Sequence, residues 1–176
     1  MIEYRELKSH EISRELFRQF NRYQKITRCW RTENGARVLK HMPSEENWNA
    51  EDFNVLVKYL KSTITTGGTV FGAFENGILA GFCSVENEPF GENKEYLQLS
   101  SIHVSCGHRG RGTGKELFRI SADRAREMGA GKLYISSHSS EETQAFYKAM
   151  NCREATEYNR KLAEEAPSDC QLEYQL

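Results

Sequence analysis

The chain lacks most of the marks of a secreted, membrane-spanning or metal-built protein. Its five cysteines, at 29, 83, 106, 152 and 170, are scattered and form no C-x-x-C pair. That argues against a disulfide frame or a zinc site and for free thiols in a reducing compartment. No apolar run approaches the length of a membrane span. Met1-Ile2-Glu3-Tyr4-Arg5 does not read as a signal peptide, so the expected location is cytoplasmic. Charge of one sign is not in excess: 24 Lys and Arg stand against 25 Asp and Glu, a net charge of −1. No global field draws such a chain to nucleic acid or to an anionic membrane, and neither is expected as a partner. Internal repeats, low-complexity tracts and linkers are also missing. What remains is the composition of a soluble globular protein, 38% hydrophobic and 28% charged, with 176 residues that fit a single domain over 1–176.

The hydrophobic pattern divides that length into elements. Ile2 to Leu7 alternates as a short strand. Ser13 is placed to cap a helix whose one face is Leu16, Phe17, Phe20 and Tyr23. Residues 24–47 mix aromatic, charged and turn residues around Trp30, Arg31, Glu33 and His41 and read as a loop region. Helical spacing resumes from Trp48 to Lys61 through Phe53, Leu56, Val57 and Leu60, and Gly67-Gly68 breaks it. Asn76-Gly77 between two apolar runs predicts a hairpin over 69–85. A strand from Tyr96 to Val104, a helix over 112–128 and a strand at Leu133-Tyr134-Ile135 follow. A helix from Glu141 to Met150 begins at a serine cap with acids in its first turn, and Asn151 suits the left-handed residue at its end. A charged stretch and a last strand at 171–176 close the chain. The pattern alone says mixed α/β.

The most informative stretch is Val104-Ser105-Cys106-Gly107-His108-Arg109-Gly110-Arg111-Gly112-Thr113-Gly114-Lys115. It joins a strand to the third long helix that the pattern predicts. Glycines at 110, 112 and 114 let a ligand approach the backbone closely. The turn empties into a helix N-terminus, where free N–H groups and the helix dipole favour an anion. Arg109 and Arg111 add guanidinium donors suited to phosphate. The spacing is not the G-x-G-x-x-G of dinucleotide folds. Gly114-Lys115-Glu116 also fails the phosphate-loop pattern, which needs Ser or Thr after the lysine. The expected ligand is a diphosphate.

These residues resemble the acetyl-CoA signature of the Gcn5-related N-acetyltransferases (GNAT), Gln/Arg-x-x-Gly-x-Gly/Ala after a strand with apolar residues two apart. Arg109, Gly112 and Gly114 match the signature, and Ile102 and Val104 match the apolar pair. The resemblance implies a GNAT fold: a mostly antiparallel sheet of six or seven strands, splayed between the fourth and fifth, with about four helices. It also implies acetyl-CoA as cosubstrate, no metal, an amine acceptor, and a monomer or homodimer. Pantetheine would pair with the backbone of Ile102 and Val104, beside His103. The diphosphate would sit on residues Arg109, Gly110, Arg111, Gly112, Thr113, Gly114 and Lys115.

A second stretch, Phe146-Tyr147-Lys148-Ala149-Met150-Asn151-Cys152, is similar to the family's later signature. By that resemblance Tyr147 faces the coenzyme sulfur and acts as general acid for the departing thiolate. Asn151 stands where glycine is usual, and the helix start lacks the asparagine that many members set against pantetheine, so Ser139 or Ser140 is the expected substitute. The glutamate of some members, eleven positions ahead of Arg109, is here Gln98. Base candidates are therefore Glu86, Glu88, Glu95, His103 and His138, or a water chain. The acceptor reading runs from a small-molecule amine, an antibiotic or polyamine among them, to a protein amine. A non-catalytic acyl-CoA sensor on the same fold is the alternative from another class.

Overall fold

A computed structural model describes residues 1–176. The strands are β1 Ile2–Glu6, β2 Gln24–Glu33, β3 Ala36–Glu46, β4 Thr69–Glu75, β5 Ile78–Val85, β6 Tyr96–Val104, β7 Lys132–Ser137, β8 Arg153–Glu154 and β9 Cys170–Gln175. The helices are α1 Ala50–Thr65, α2 Thr113–Glu127, α3 Glu141–Ala149 and α4 Arg160–Glu165. Seven strands form one sheet in the order β1-β4-β5-β6-β7-β9-β8, and β2 and β3 form a separate pair. Every pairing is antiparallel except β6 with β7.

That parallel pairing positions the site. It covers only Tyr96–Gln98 against Lys132–Tyr134. Beyond it β6 and β7, the fourth and fifth strands of the large sheet, separate and open a V. A slip in hydrophobic phase marks the same place. Leu97 and Leu99 point into the core on the α2 face, and after the irregularity between Leu99 and Ser101 so do Ile102 and Val104. An extra residue in the strand shifts the alternation by one, which turns odd core positions into even ones.

Two apolar layers sandwich the sheet. On one face Leu117, Phe118, Ala122 and Ala125 of α2 and Tyr147 of α3 pack on Phe71, Cys83, Val85, Leu97, Leu133 and Ile135. On the other, Phe53 and Leu60 of α1 join Phe17 and Phe20 against Val70, Leu79 and Phe82. The ends of the helices follow from local chemistry. Asn49 and Asp52 close a reciprocal cap on α1 (2.8 and 2.9 Å). Asn151 takes φ 63° after α3.

Two expectations fail here. The predicted helix over 13–23 holds only a single 3-10 turn, Glu15–Phe17, which follows another at Ser9–Glu11. The backbone of 21–23 is committed elsewhere: the Asn21 amide donates to Ser105 Oγ (2.9 Å), and Asn21 O accepts from the Cys106 amide (2.8 Å). The helix at the glycine-rich turn is therefore the second α-helix, not the third. Residues 24–47 are not a loop but a long hairpin, β2–β3, turned at Asn34-Gly35 with φ 50° and 77°.

The far edge of the sheet is fastened by a buried carboxylate. Glu173 of β9 is fully buried and accepts from the Tyr96 hydroxyl (2.5 Å), the Thr156 amide (3.1 Å) and Arg153 Nε (2.9 Å). Burial alone would raise its pKa, but these bonds and the nearby Lys132 hold it down to about 2. A depressed carboxylate contributes stability above its unfolded pKa of about 4.3, and that contribution is lost as pH falls toward 2. Glu173→Gln is expected to cost about 2 kcal/mol at neutral pH and to flatten the acid limb of the stability curve. Urea melts from pH 7 to 3 check both.

Candidate active site

The V between β6 and β7 opens into a groove of about 640 Å³ that runs to the start of α2. Its floor is the unpaired flank of β6. The Ser105 amide bonds across to Ala80 O (2.8 Å). Main-chain groups alternate sides along a strand, so those of Ile102 and Val104 face the opening.

At the groove's end Gly110 and Gly112 take φ 74° and 85°, which glycine adopts without strain. The turn leaves the amides of residues 110–115 with no acceptor in the protein, and helical bonding resumes only with the Glu116 amide to Gly112 O (3.1 Å). Gly114 lets the groove run close to the helix: a Cβ there would lie 3.4 Å from Phe146 and 3.5 Å from Val104. A set of convergent donors on the positive end of a 15-residue helix is a site for a multiply charged anion. The residues present thus fit the diphosphate of a coenzyme A.

Of the two arginines, Arg109 lines the groove and Arg111 does not. Arg109 is a clamp, donating to Val104 O (2.9 Å), Tyr23 O (2.7 Å) and Arg22 O (3.3 Å). Arg111 turns away to Glu75, with both bonds at 3.2 Å. The Thr113 side chain is buried under Gly81, so only its amide belongs to the cradle. Lys115 does line the groove, and so do Arg22, Gln24 and Lys25 at the root of β2. The sequence does not point to those three, because the mostly exposed hairpin that delivers them carries no clear apolar alternation. Arg111→Ala is accordingly expected to leave CoA affinity within about threefold, a change under 1 kcal/mol that calorimetry resolves.

The β7 and α3 wall carries Ser136, Ser137, His138, Glu142, Thr143, Phe146 and Tyr147. Ser140 is not part of it. It is fully buried and caps α3, accepting from the Thr143 amide (3.3 Å) and donating to Thr143 Oγ1 (2.8 Å). Ser139 is spent as well, since its Oγ accepts from Arg31 (2.6 Å). Tyr147 lies between Phe118 and Phe146, and its hydroxyl has no partner in the protein. Burial, then Cys152 and Asp169, push its pKa well above the usual phenol value, so it stays protonated.

The base candidates separate by geometry. Glu95 sits at the closed end of the V, ion-paired with Lys132 (3.3 Å) and outside the groove. Glu88 is exposed beyond the end of β5. His103 lines the groove, but its ring is wedged against Trp48 (4.8 Å) and Phe82 (5.4 Å). Burial, with Arg22 and Arg109 nearby, pushes its pKa down to about 3, so it is neutral and weakly basic. His138 has both nitrogens engaged: Nδ1 accepts from the Ser140 amide (3.0 Å) and Nε2 faces Glu46 (3.2 Å). Glu86 accepts from Ser100 Oγ (2.5 Å) and Thr63 Oγ1 (2.7 Å), and Ser100 lines the groove. Asp169 accepts from Ser136 Oγ (3.3 Å), and burial raises its pKa. No helix is long and apolar enough to cross a membrane.

Comparison with known proteins places this geometry in a family. Over 60 residues the chain is 43% identical to the streptothricin acetyltransferase of Streptomyces lavendulae, a stretch that covers 34% of this chain and 30% of that one. A nourseothricin acetyltransferase crystal structure superposes with a TM-score of 0.70 at 20% identity, over 99% of this chain and 98% of its own. A Bacillus anthracis protein assigned as a streptothricin acetyltransferase, crystallised with acetyl coenzyme A, gives 0.74 at 12% identity over 100% and 99%. At such identities the superpositions speak for the fold: a seven-stranded, mostly antiparallel sheet with four helices. The family model described as "Acetyltransferase (GNAT) family" matches residues 14–151, most of the chain, including the cradle and Tyr147. The chain belongs to the acetyltransferase (GNAT) family.

Proposed function

We propose that the chain, acting as one domain over residues 1–176, transfers the acetyl group of acetyl-CoA to a primary amine of a small molecule. The observation that carries this reading is the row of acceptorless amides at 110–115, at one end of a groove that Tyr147 also lines. In this reading those amides hold the diphosphate, with Lys115 and Lys25 beside them. The main-chain groups of Ile102 and Val104 align the pantetheine, and a strand amide steadies charge on the thioester oxygen. Tyr147 gives its phenolic proton to the departing thiolate.

A small acceptor is favoured by the hairpin that roofs the groove. Trp30 N bonds to Ser139 O (2.8 Å) and Arg28 to Glu141 (2.6 and 2.8 Å), fastening β2 to the start of α3. That leaves room for a flexible amine more readily than for a folded protein surface. The relative and the two structural neighbours are described as streptothricin or nourseothricin acetyltransferases, so streptothricin is the first acceptor to test, with polyamines next. The experiment mixes protein and acetyl-CoA with streptothricin, spermidine and a lysine peptide and follows thiol release. Turnover with either small amine is expected. Tight CoA binding without turnover on any amine would replace the enzyme reading with a sensor.

A further inference from the structure

We infer that Ser100 and Glu86 form the proton exit for the acceptor amine, an assignment that rests on the acetyltransferase reading above. Three observations meet at this place. Ser100 occupies the irregularity of β6, between Leu99 and Ser101, and has no partner residue on β5. An extra residue in a strand re-aims a side chain. Ser100 lines the groove just past the point where β6 and β7 part. Behind it Glu86 Oε1 accepts from Ser100 Oγ at 2.5 Å and from Thr63 Oγ1 of α1 at 2.7 Å, which fixes the carboxylate.

The groups around this pair are polar or negative. Ser84 Oγ of β5 lies 2.8 Å from Ser100 Oγ. The phenol of Tyr59, on α1, is within reach of Ser100 and Glu86, and Glu165 of α4 faces that phenol. No Lys, Arg or His forms an ion pair with Glu86. A carboxylate without a cationic partner, joined to the groove through one hydroxyl, suits a cation that arrives as a substrate.

The protons balance as follows. The ammonium of the acceptor gives a proton to Ser100 Oγ while the serine's own proton passes to Glu86. The freed nitrogen forms the C–N bond, and the C–S bond breaks. The thiolate takes the proton of Tyr147, the nitrogen's second proton restores Tyr147, and Glu86 releases its proton to solvent. One proton leaves per acetyl group transferred.

The test uses Glu86→Gln and Ser100→Ala, with Glu86→Asp and Ser100→Thr as conservative partners and thermal melts to confirm folding. Either loss is expected to lower kcat/KM about 100-fold near pH 7. The shape of the profile is the sharper readout. With the relay, the protonated amine is used and the rate is flat between about pH 7 and 9; without it only free amine reacts, and the rate climbs roughly tenfold per pH unit toward the amine's own pKa near 10. A second readout needs no turnover: the Kd of the amine for protein saturated with CoA should weaken about tenfold in Glu86→Gln, whereas Ser100→Thr, which keeps the hydroxyl lost in Ser100→Ala, should stay near the wild type in both readouts. Variants that keep the wild-type profile and amine Kd within threefold would overturn this assignment alone. Failure of the unmodified protein to bind CoA would overturn the acetyltransferase reading, and this assignment with it.

Discussion

Gly114→Asp is expected to weaken coenzyme binding by one to three orders of magnitude while leaving the fold as stable as before or slightly more so. Two consequences of one position separate here. Gly114 is the second residue of α2, after the left-handed Gly112 and Thr113. A helix gains from losing a glycine, and a carboxylate in the first turn interacts well with the dipole, together roughly 0.5–1 kcal/mol. The Cβ meets Phe146 at 3.4 Å and Val104 at 3.5 Å, which the ring can relieve by a small shift. In the cradle the same carboxylate occupies the space meant for the diphosphate and repels it. Like charges a few ångströms apart at a half-exposed site cost about 2–4 kcal/mol, which is a loss of roughly 30- to 900-fold in affinity. Gly114→Asn carries the shape without the charge and should lose only about tenfold. Calorimetry with CoA at two salt concentrations divides the loss: the Asp deficit shrinks with salt and the Asn deficit does not. Equal losses in both variants would mean that the cradle rejects bulk rather than charge.

How much of this was legible in the sequence depended on whether a feature is written locally. The hairpin at Asn76-Gly77 was, because its strands are buried and alternate cleanly around the turn. Asn34-Gly35 is the same signal between strands of ten and eleven residues, yet it was passed over. The β2–β3 pair stands apart from the main sheet and is mostly exposed, so it has no apolar face to write an alternation into the sequence. The segment 13–23 failed for the opposite reason. Its apolar spacing is helical, and Phe17 and Phe20 do enter the core, but 3-10 turns deliver them there. What decides the backbone is a set of bonds to residues more than eighty positions away, at Ser105, Cys106 and Arg109.

The cradle shows the same division. Glycines and a helix start can be read from the chain, and the free amides lie where they imply. Which way an arginine points cannot be read: Arg109 lines the groove with its guanidinium on main-chain carbonyls, while Arg111 turns to Glu75. Charge at a motif is therefore weaker evidence for anion contact than backbone geometry. The Ser100–Glu86 pair was half visible: Glu86 stood among the candidates, but the irregularity that turns Ser100 toward it is a tertiary fact.

Tyr147→Phe is expected to lower kcat by about 100-fold or more, the range for loss of a placed general acid. It should do so without disturbing anything else, because the hydroxyl has no partner within the protein and its removal strands none. Stability should stay within about 0.5 kcal/mol of the wild type. The ring keeps its contacts with Phe118 and Phe146, so CoA affinity should change by less than about threefold. Burial sets the pH behaviour: the phenol's pKa is raised well above its ordinary value, and a raised pKa keeps the donor protonated. The wild-type rate should therefore show no alkaline fall attributable to Tyr147 at least up to pH ~9.5. A fall in kcat with unchanged CoA affinity, read by single-turnover thiol release and calorimetry on the same preparations, assigns the proton to this residue. An equal fall in CoA affinity would instead make Tyr147 a wall of the groove, and the leaving thiolate would have to find its proton in water.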